Sequence, residues 1–523
     1  MRLKRLLWYA VLALEAGVSG GQAADLGRVV FVGDSITQGF DKSINSSSPQ
    51  ASYRYQFWKG LIDNGLSYGK DYSFEGSQSG SCHQGPEDTI SGLTPDYRGQ
   101  SFANIHEGHF NWKASYISST EAPPAEDLQQ NRGTGNVTQW LAPENKNGYT
   151  ADTVFIMLGT NDLYKGGSTD QLLGDIRAIV NAYQHSNANA RIYVMSVTPP
   201  SLSAGTGMMD KVRAANEALE SQALSWSTKT SSVSYLDVTE GMSAVSSGSQ
   251  TSPGLMNIDK WHPNNQGELI IAGNILKGLG LGSQTGGIQR RASEALTVHA
   301  VFTAGRPPSM NSGNIGLTDN SETSAWSFSD SGATLSWTAP QKEGRIALQG
   351  DWHASGNTFS LDFCISMDAA GGTDNTFSVQ LGNGTSFNGL LHIRQQGVFW
   401  GNTLLYSDDM EGEFRNIRIS YTQGDAAQGI LAGYYVWLDG QLIGNSLQGN
   451  SASGTDDLFL MGALDGSRPS SATVKDISYD VSGAYAADLQ TAPEASSVSL
   501  GLLGFVWIGF RRQRKNVTSG KEL

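Results

Sequence analysis

At 523 residues the chain is longer than one ordinary hydrophobic core organises, so two or three domains are expected. Lys and Arg total 35 against 49 Asp and Glu, a net charge of −14, and no basic tract lies outside the two ends, which argues against a nucleic-acid partner. Gly is abundant at 63, which suits a loop-rich secreted protein, and the two cysteines, Cys82 and Cys364, fall in different predicted domains, read as separate thiols and define no metal site.

In chain order, Arg2, Lys4 and Arg5 precede the apolar run Leu6 to Leu14, and small residues end near Ala23-Ala24. This pattern predicts an export signal over residues 1–24, since the run is too short to span a bilayer. Val29 to Val32 is a β-branched apolar run that predicts a buried strand. It breaks at Gly33-Asp34 and presents Ser35 past its C-terminal end, where open α/β sheets place their chemistry. A serine there is a poor nucleophile alone; it needs a histidine base, a carboxylate to orient the base, and donors for an oxyanion.

Tyr53, Phe57 and Leu61 recur at helical spacing up to Gly65, Asp71 to Gly76 predicts a second short strand, and a Gly/Ser loop runs to Gly85. Residues 113–150 are polar, with Pro123-Pro124 and several glycines, and read as a long surface excursion beside the site. Thr153 to Leu158 predicts a strand that leaves Asn161 of Gly159-Thr-Asn-Asp162 at its C-terminal edge. Helices are expected at Leu172 to Tyr183, Met209 to Trp226 and Gly267 to Leu279, and strands at Arg191 to Val197 and Val233 to Val238. This alternation implies a parallel sheet with helices on both faces. Asp259 lies three residues before His262, a spacing at which one turn brings a carboxylate to the imidazole Nδ1–H while Pro263 stiffens it. Locally, a surface turn capping the next helix accounts for the same residues; Ser35 is what favours the chemical reading.

Four stretches in order, Gly33-Asp-Ser-Ile-Thr-Gln-Gly39, Gly76-Ser-Gln-Ser-Gly80, Gly159-Thr-Asn-Asp162 and Asp259-Lys-Trp-His-Pro263, resemble the blocks of the SGNH, or GDSL, family of serine esterases and lipases over about residues 26–280. The resemblance implies a three-layer α/β sandwich for residues 25–282, with Ser35 as nucleophile, His262 as base and Asp259 orienting it. It also implies an oxyanion hole made by the N–H groups of Ser35 and Gly80 and the Asn161 amide, with Asp162 supporting the loop. The FEGSQSG stretch with His106-Glu-Gly-His109 and Trp112 is similar to family 3 carbohydrate esterases, which include acetylxylan esterases. In those a His-Ser-Gly-Trp-like segment supplies a glycine amide, whereas His109-Phe-Asn-Trp112 places Asn111 there, so Asn111 is the rival to Gly80. Two G-x-S-x-G matches, at Gly17 and Gly65, are declined because one lies in the signal and the other follows a helix. His106 and His109 lack the H-E-x-x-H spacing of a metalloprotease.

A short polar linker containing Arg290-Arg291 spans 283–294, after which the pattern changes to short alternating runs from Thr358 to Val481, with turns such as Asp439-Gly440. Residues 295–486 are therefore expected to form an all-β sandwich, and VWLDGQLIG and VKDISYDVSG resemble a laminin-G or concanavalin-type jelly roll. Trp352, Trp400, Tyr434 and Trp437 read either as sandwich core or as sugar-stacking rings. Within 487–523, Ala492-Pro-Glu-Ala495, the apolar Val498 to Phe510 and the cluster Arg511, Arg512, Arg514 and Lys515 resemble a PEP-CTERM sorting signal.

Together these readings predict an exported serine esterase of the bacterial surface, outer envelope or medium that removes acyl groups, with acetyl expected, from a carbohydrate. Its partners would be an acylated glycan or polysaccharide and the envelope sorting machinery, with no nucleic acid, no cofactor and no metal. A lipase, thioesterase or arylesterase on the same scaffold is the enzymatic alternative. The non-enzymatic alternative, an inactive surface glycan-binding protein, predicts a missing catalytic group, but Ser35, Asn161, Asp259 and His262 are all present.

Overall fold

The computed structural model describes residues 25–488 apart from 40–51, 81, 84, 90–93, 129–132, 147, 202–205, 243–254, 258, 311–315, 320–325, 338–343, 350–357, 369–374, 383–387, 450–458 and 464–468. The export signal, nearly all of the sorting segment, and Trp352 lie outside the described residues. Among the described residues no helix is long and apolar enough to cross a membrane.

The N-terminal half is built on a sheet whose central strand is β1 (Gly27–Gly33). On one side β1 pairs in parallel first with β2 (Tyr72–Glu75) and then, at Val32 and Gly33, with β4 (Ile105–Gly108). The two-residue β3 (Gln78–Ser79) adds antiparallel to β4. On the other side β5 (Thr153–Met157), β6 (Arg191–Met195) and β7 (Val233–Leu236) follow in parallel. Strand alternation divides the core in two. Val29 and Phe31 face one apolar cluster with Tyr53, Phe57, Ile271 and Ile275, whereas Val30 and Val32 face another with Ile176, Ile179, Val212 and Leu219. The sheet is therefore covered on both faces, as the βα alternation requires.

The helices begin where the sequence supplies caps. Ser52 caps α2 (Tyr53–Asp63), Ser168 forms a capping box with Gln171 on α5 (Thr169–Ser186), and Asn264 caps α7 (Asn265–Gly278). Further helices are α1 (Ser35–Gln38), which precedes them, and α3 (Ala114–Ser118), α4 (Thr160–Tyr164) and α6 (Thr206–Gln222), which lie between them. The stretch 113–150 is less superficial than its polarity suggests, because Ile117, Val137 and Trp140 are buried in the second cluster. Its polar residues form the turns while a few apolar ones anchor it.

The C-terminal half consists of two antiparallel sheets. One runs through Val298–Thr303, Ser470–Asp480, Phe359–Met367, Arg415–Thr422, Gly433–Leu438 and Gln441–Leu447; the other includes Gly344–Gln349, Phe459–Ala463, Thr376–Gly382 and Asn388–Arg394. Asp439-Gly440 closes the hairpin in which Leu438 faces Gln441, both residues at positive φ (48° and 80°) as a two-residue turn demands. Cys364 is a free, buried thiol.

The stretch 283–294 is no solvated tether. Ser283, Gln284 and Thr285 are buried, the Trp437 indole donates to the Gln284 carbonyl (3.2 Å), and the Leu442 N–H donates to Ser283 Oγ (2.8 Å). Residues 289–291 then pair with Tyr485–Ala487. Polar side chains are used there because they satisfy backbone groups where the two halves meet.

Candidate active site

Ser35 is the first residue of α1, immediately after β1. Asp34 caps the turn, its carboxylate accepting the Ile36 N–H at 3.0 Å, and burial pushes the Asp34 carboxyl up to about 6. Gly33 is required by space: a Cβ there would lie 2.0 Å from Thr37 Oγ1 and 2.7 Å from the Met157 carbonyl. Gly108 has the same role from β4, since a Cβ would meet the Gln38 nitrogen at 2.4 Å. The strand can thus turn sharply into a helix and present the Ser35 hydroxyl at its C-terminal end.

His262 reaches that hydroxyl from the opposite end of the sequence. Ser35 Oγ lies 2.7 Å from His262 Nε2, and His262 Nδ1 lies 2.7 Å from Asp259 Oδ2. Asp259 Oδ1 also accepts the Trp261 and His262 N–H groups at 3.0 and 3.1 Å, so the carboxylate is fixed by its own turn. Burial opposes ionisation of Asp259, but these bonds, led by that from His262, outweigh it and hold its pKa below the usual carboxylate value. Lys260 at φ 72° reverses the chain within the turn, and Asn257 braces it by donating to the Pro263 carbonyl at 3.0 Å. Such a chain can accept a proton from the hydroxyl and hold the resulting imidazolium.

The structure separates the two rivals for the oxyanion position. The Gly80 N–H donates to the Asn104 carbonyl at 3.0 Å, and its carbonyl faces His106 Nε2 at 2.7 Å. The expectation for Gly80 is thus corrected, because the pairing of β3 with β4 consumes its donor. Asn111 lies in a turn in which the Trp112 N–H bonds the His109 carbonyl (3.2 Å). That turn is tied to the nucleophile loop by His109 N–H to Gly33 O (2.9 Å) and Phe110 N–H to Gln38 Oε1 (2.8 Å). At φ 66°, Asn111 takes the left-handed conformation a glycine would, and its N–H has no partner among the described residues. Asn161 joins the same turn, its Nδ2 donating to the Trp112 carbonyl at 3.0 Å and keeping a second N–H. Asp162 accepts the Ala114 N–H with both oxygens (3.0 and 3.1 Å), which is the loop support expected of it.

Residues 111–270 match the model of the GDSL-like Lipase/Acylhydrolase family. Residues 111–270 are thus similar to a GDSL-type acylhydrolase domain. Among solved structures, the chain is similar to a carbohydrate esterase family 3 protein from Talaromyces cellulolyticus, at 24% identity over 49% of this chain and 96% of that one, with a TM-score of 0.33. It is also similar to a Clostridium thermocellum family 3 carbohydrate esterase, at 20% identity over 48% of this chain and 93% of that one, with a TM-score of 0.32. No curated protein matches the chain.

The N-terminal half contains a supporting layer that sequence reasoning missed. Arg54 is buried in the first turn of α2 and donates to the Thr37 carbonyl (2.6 Å), the Gln38 carbonyl (3.2 Å) and Asn104 Oδ1 (2.5 Å). Thr37 and Gln38 end α1, so the guanidinium satisfies carbonyls that so short a helix leaves unbonded. Burial lowers the Arg54 pKa to about 10. Tyr53 bonds Thr37 Oγ1 at 2.8 Å through its hydroxyl, and its N–H reaches Glu268 of α7 at 2.6 Å. An arginine flanked by Tyr53 and Tyr55 in the aromatic-rich run Tyr53 to Trp58 was the available sequence signal. His106 and His109 are buried under the site, His109 bonding Glu107 at 2.9 Å and stacked between Trp112 and Trp140. Among the described residues, no three His, Cys, Asp or Glu side chains gather as a metal site.

Proposed function

We propose that this acylhydrolase domain is a serine esterase that removes acyl groups, chiefly acetyl, from carbohydrates. The observation that carries the reading is the unbroken chain of 2.7 Å contacts from Ser35 through His262 to Asp259. His262 Nε2 takes the Ser35 proton as Oγ bonds the ester carbonyl carbon, and Asp259 stabilises the imidazolium. Collapse of the tetrahedral intermediate breaks the bond to the alcohol oxygen, which takes the proton from His262. Water then repeats the sequence on the acyl-serine, returning Ser35 and releasing the acid. The oxyanion is met by the N–H groups of Ser35 and Asn111 and the free N–H of the Asn161 amide, each worth roughly 10²–10³ in rate. A carbohydrate as the alcohol, and a place at the bacterial envelope, are supported by the family 3 motifs and the two terminal segments of the sequence.

Acetate release from a panel of acetylated glycans and simple acetates tests the reading. The native protein should turn over the glycans, and Ser35→Ala should lose at least about 10³-fold in kcat/KM. Equal turnover by both proteins would refute the serine mechanism, and glycan binding without turnover by either would favour a binding protein.

A further inference from the structure

Three of the aromatic residues weighed as sugar platforms in the β-rich half are covered: Trp400 is 5% exposed, and Tyr434 and Trp437 are each 0%. An exposed aromatic ring stands instead against Trp261, the residue before His262. Tyr164, the last residue of α4 and three after Asn161, is 63% exposed, the highest value among the exposed large apolar and aromatic side chains of the described residues. Its ring meets that of Trp261 edge to face, with centroids 4.9 Å apart and planes at 64°. Trp261 directly precedes His262, and its N–H is fixed on Asp259. Exposing so large a ring costs hydrophobic free energy unless a ligand covers it, and here it stands on the turn that holds the base.

We infer that Tyr164 and Trp261 form the subsite for the sugar ring of the substrate, binding the pyranose that carries the ester as the leaving alcohol. This rests on the esterase reading of Ser35 and His262. The argument is directional. His262 must hand its proton to the departing alkoxide, so the alcohol half of the ester lies on the His262 side of the carbonyl, where these two rings stand. A pyranose offers a C–H face to an aromatic ring while its hydroxyls stay in water, which suits an exposed platform better than it suits a lipid chain needing an enclosed apolar channel. The subsite would therefore select sugar esters by their alcohol half and leave the acyl half to the oxyanion side.

The test uses the full-length Ser35→Ala protein and an O-acetylated methyl pyranoside, followed by saturation-transfer NMR of the ligand. Ring C–H protons should receive saturation, and adding Tyr164→Ala, a surface change that leaves the core intact, should abolish it, whereas Tyr164→Phe should preserve it. In the Ser35-containing protein, Tyr164→Ala should raise KM for the pyranoside about tenfold, the worth of one aromatic contact. Ring-proton saturation that is absent, or unchanged by Tyr164→Ala, overturns the subsite. Hydrolysis of ethyl acetate by the native protein and by Ser35→Ala tests the esterase reading separately, because the NMR result needs no turnover.

Discussion

Two asparagines beside Ser35 are asked to donate in different ways, Asn111 from its backbone and Asn161 from its side chain. Asn161→Ala should therefore lower kcat by about 10²–10³ with little change in KM. Asn111→Gly should keep kcat within about threefold, because glycine takes φ 66° freely, whereas Asn111→Val should lose more than about tenfold, since a β-branched residue is strained there. Equal effects of the two substitutions would show that the Asn111 side chain, not its N–H, is what matters. Asp162 offers a test by pH. Burial lifts its carboxyl from 3.8 to about 7, so the folded protein holds a proton that the unfolded chain has released between those values. Its favourable contribution is complete below about pH 3.8 and is lost as pH rises through about 7. Asp162→Asn keeps an acceptor for Ala114 and removes the ionisation, so its Tm relative to the native protein should climb between about pH 4 and 8. A constant Tm difference across that range would refute the assignment.

At the scale of elements, the nucleophile depends on a four-residue helix that could not persist alone. It is held by Gly33 and Gly108, which admit it, and by Arg54, which bonds its last carbonyls. Arg54→Leu leaves those carbonyls buried and unbonded, so kcat on simple acetates should fall more than about tenfold and Tm should drop, with Arg54→Lys recovering part of each. Full activity in Arg54→Leu would mean that packing alone holds α1. The longer strands and helices in residues 25–282 were legible because Gly27–Gly33 and Thr153–Met157 hold apolar runs and helices such as Thr169–Ser186 carry an apolar stripe. The strand Ile105–Gly108 was not legible, since His106 and Glu107 are buried there as hydrogen-bonded polar groups and break the apolar pattern.

For the whole molecule, the two halves share an apolar cluster and are expected to fold as one unit. The helix that follows His262 packs on the first half through Leu276 against Gly60 and on the second through Gly273 against Gln441. Gln266 of that helix donates to the carbonyls of Leu405 (2.9 Å) and Ile443, and the Ser407 N–H bonds the Gly241 carbonyl at 2.8 Å. One apolar cluster runs through residues of both halves, each buried large side chain contributing about 1.5–3 kcal/mol. A chain ending at residue 294 would bare Leu269 and the strand-facing side of that helix, and should be insoluble or lose its cooperative melt. A soluble, active truncation would instead establish an independent catalytic domain.

Sequence alone marked most strands and helices of residues 25–282, the candidates Ser35, Asp259, His262 and Asn161, and the change to a strand-rich pattern beyond residue 294, because each is written in local periodicity or in a short spaced motif. Tertiary structure decided what depends on distant partners. It showed that Gly80 spends its N–H on Asn104 while Asn111 keeps its own, that the polar stretch 283–294 begins as a buried joint, and that an exposed ring, Tyr164, stands against half-buried Trp261 rather than among the aromatic strands. Whether a donor is free, or a ring is covered, is settled by residues distant in sequence, such as Asn104 for Gly80, and no local pattern records them.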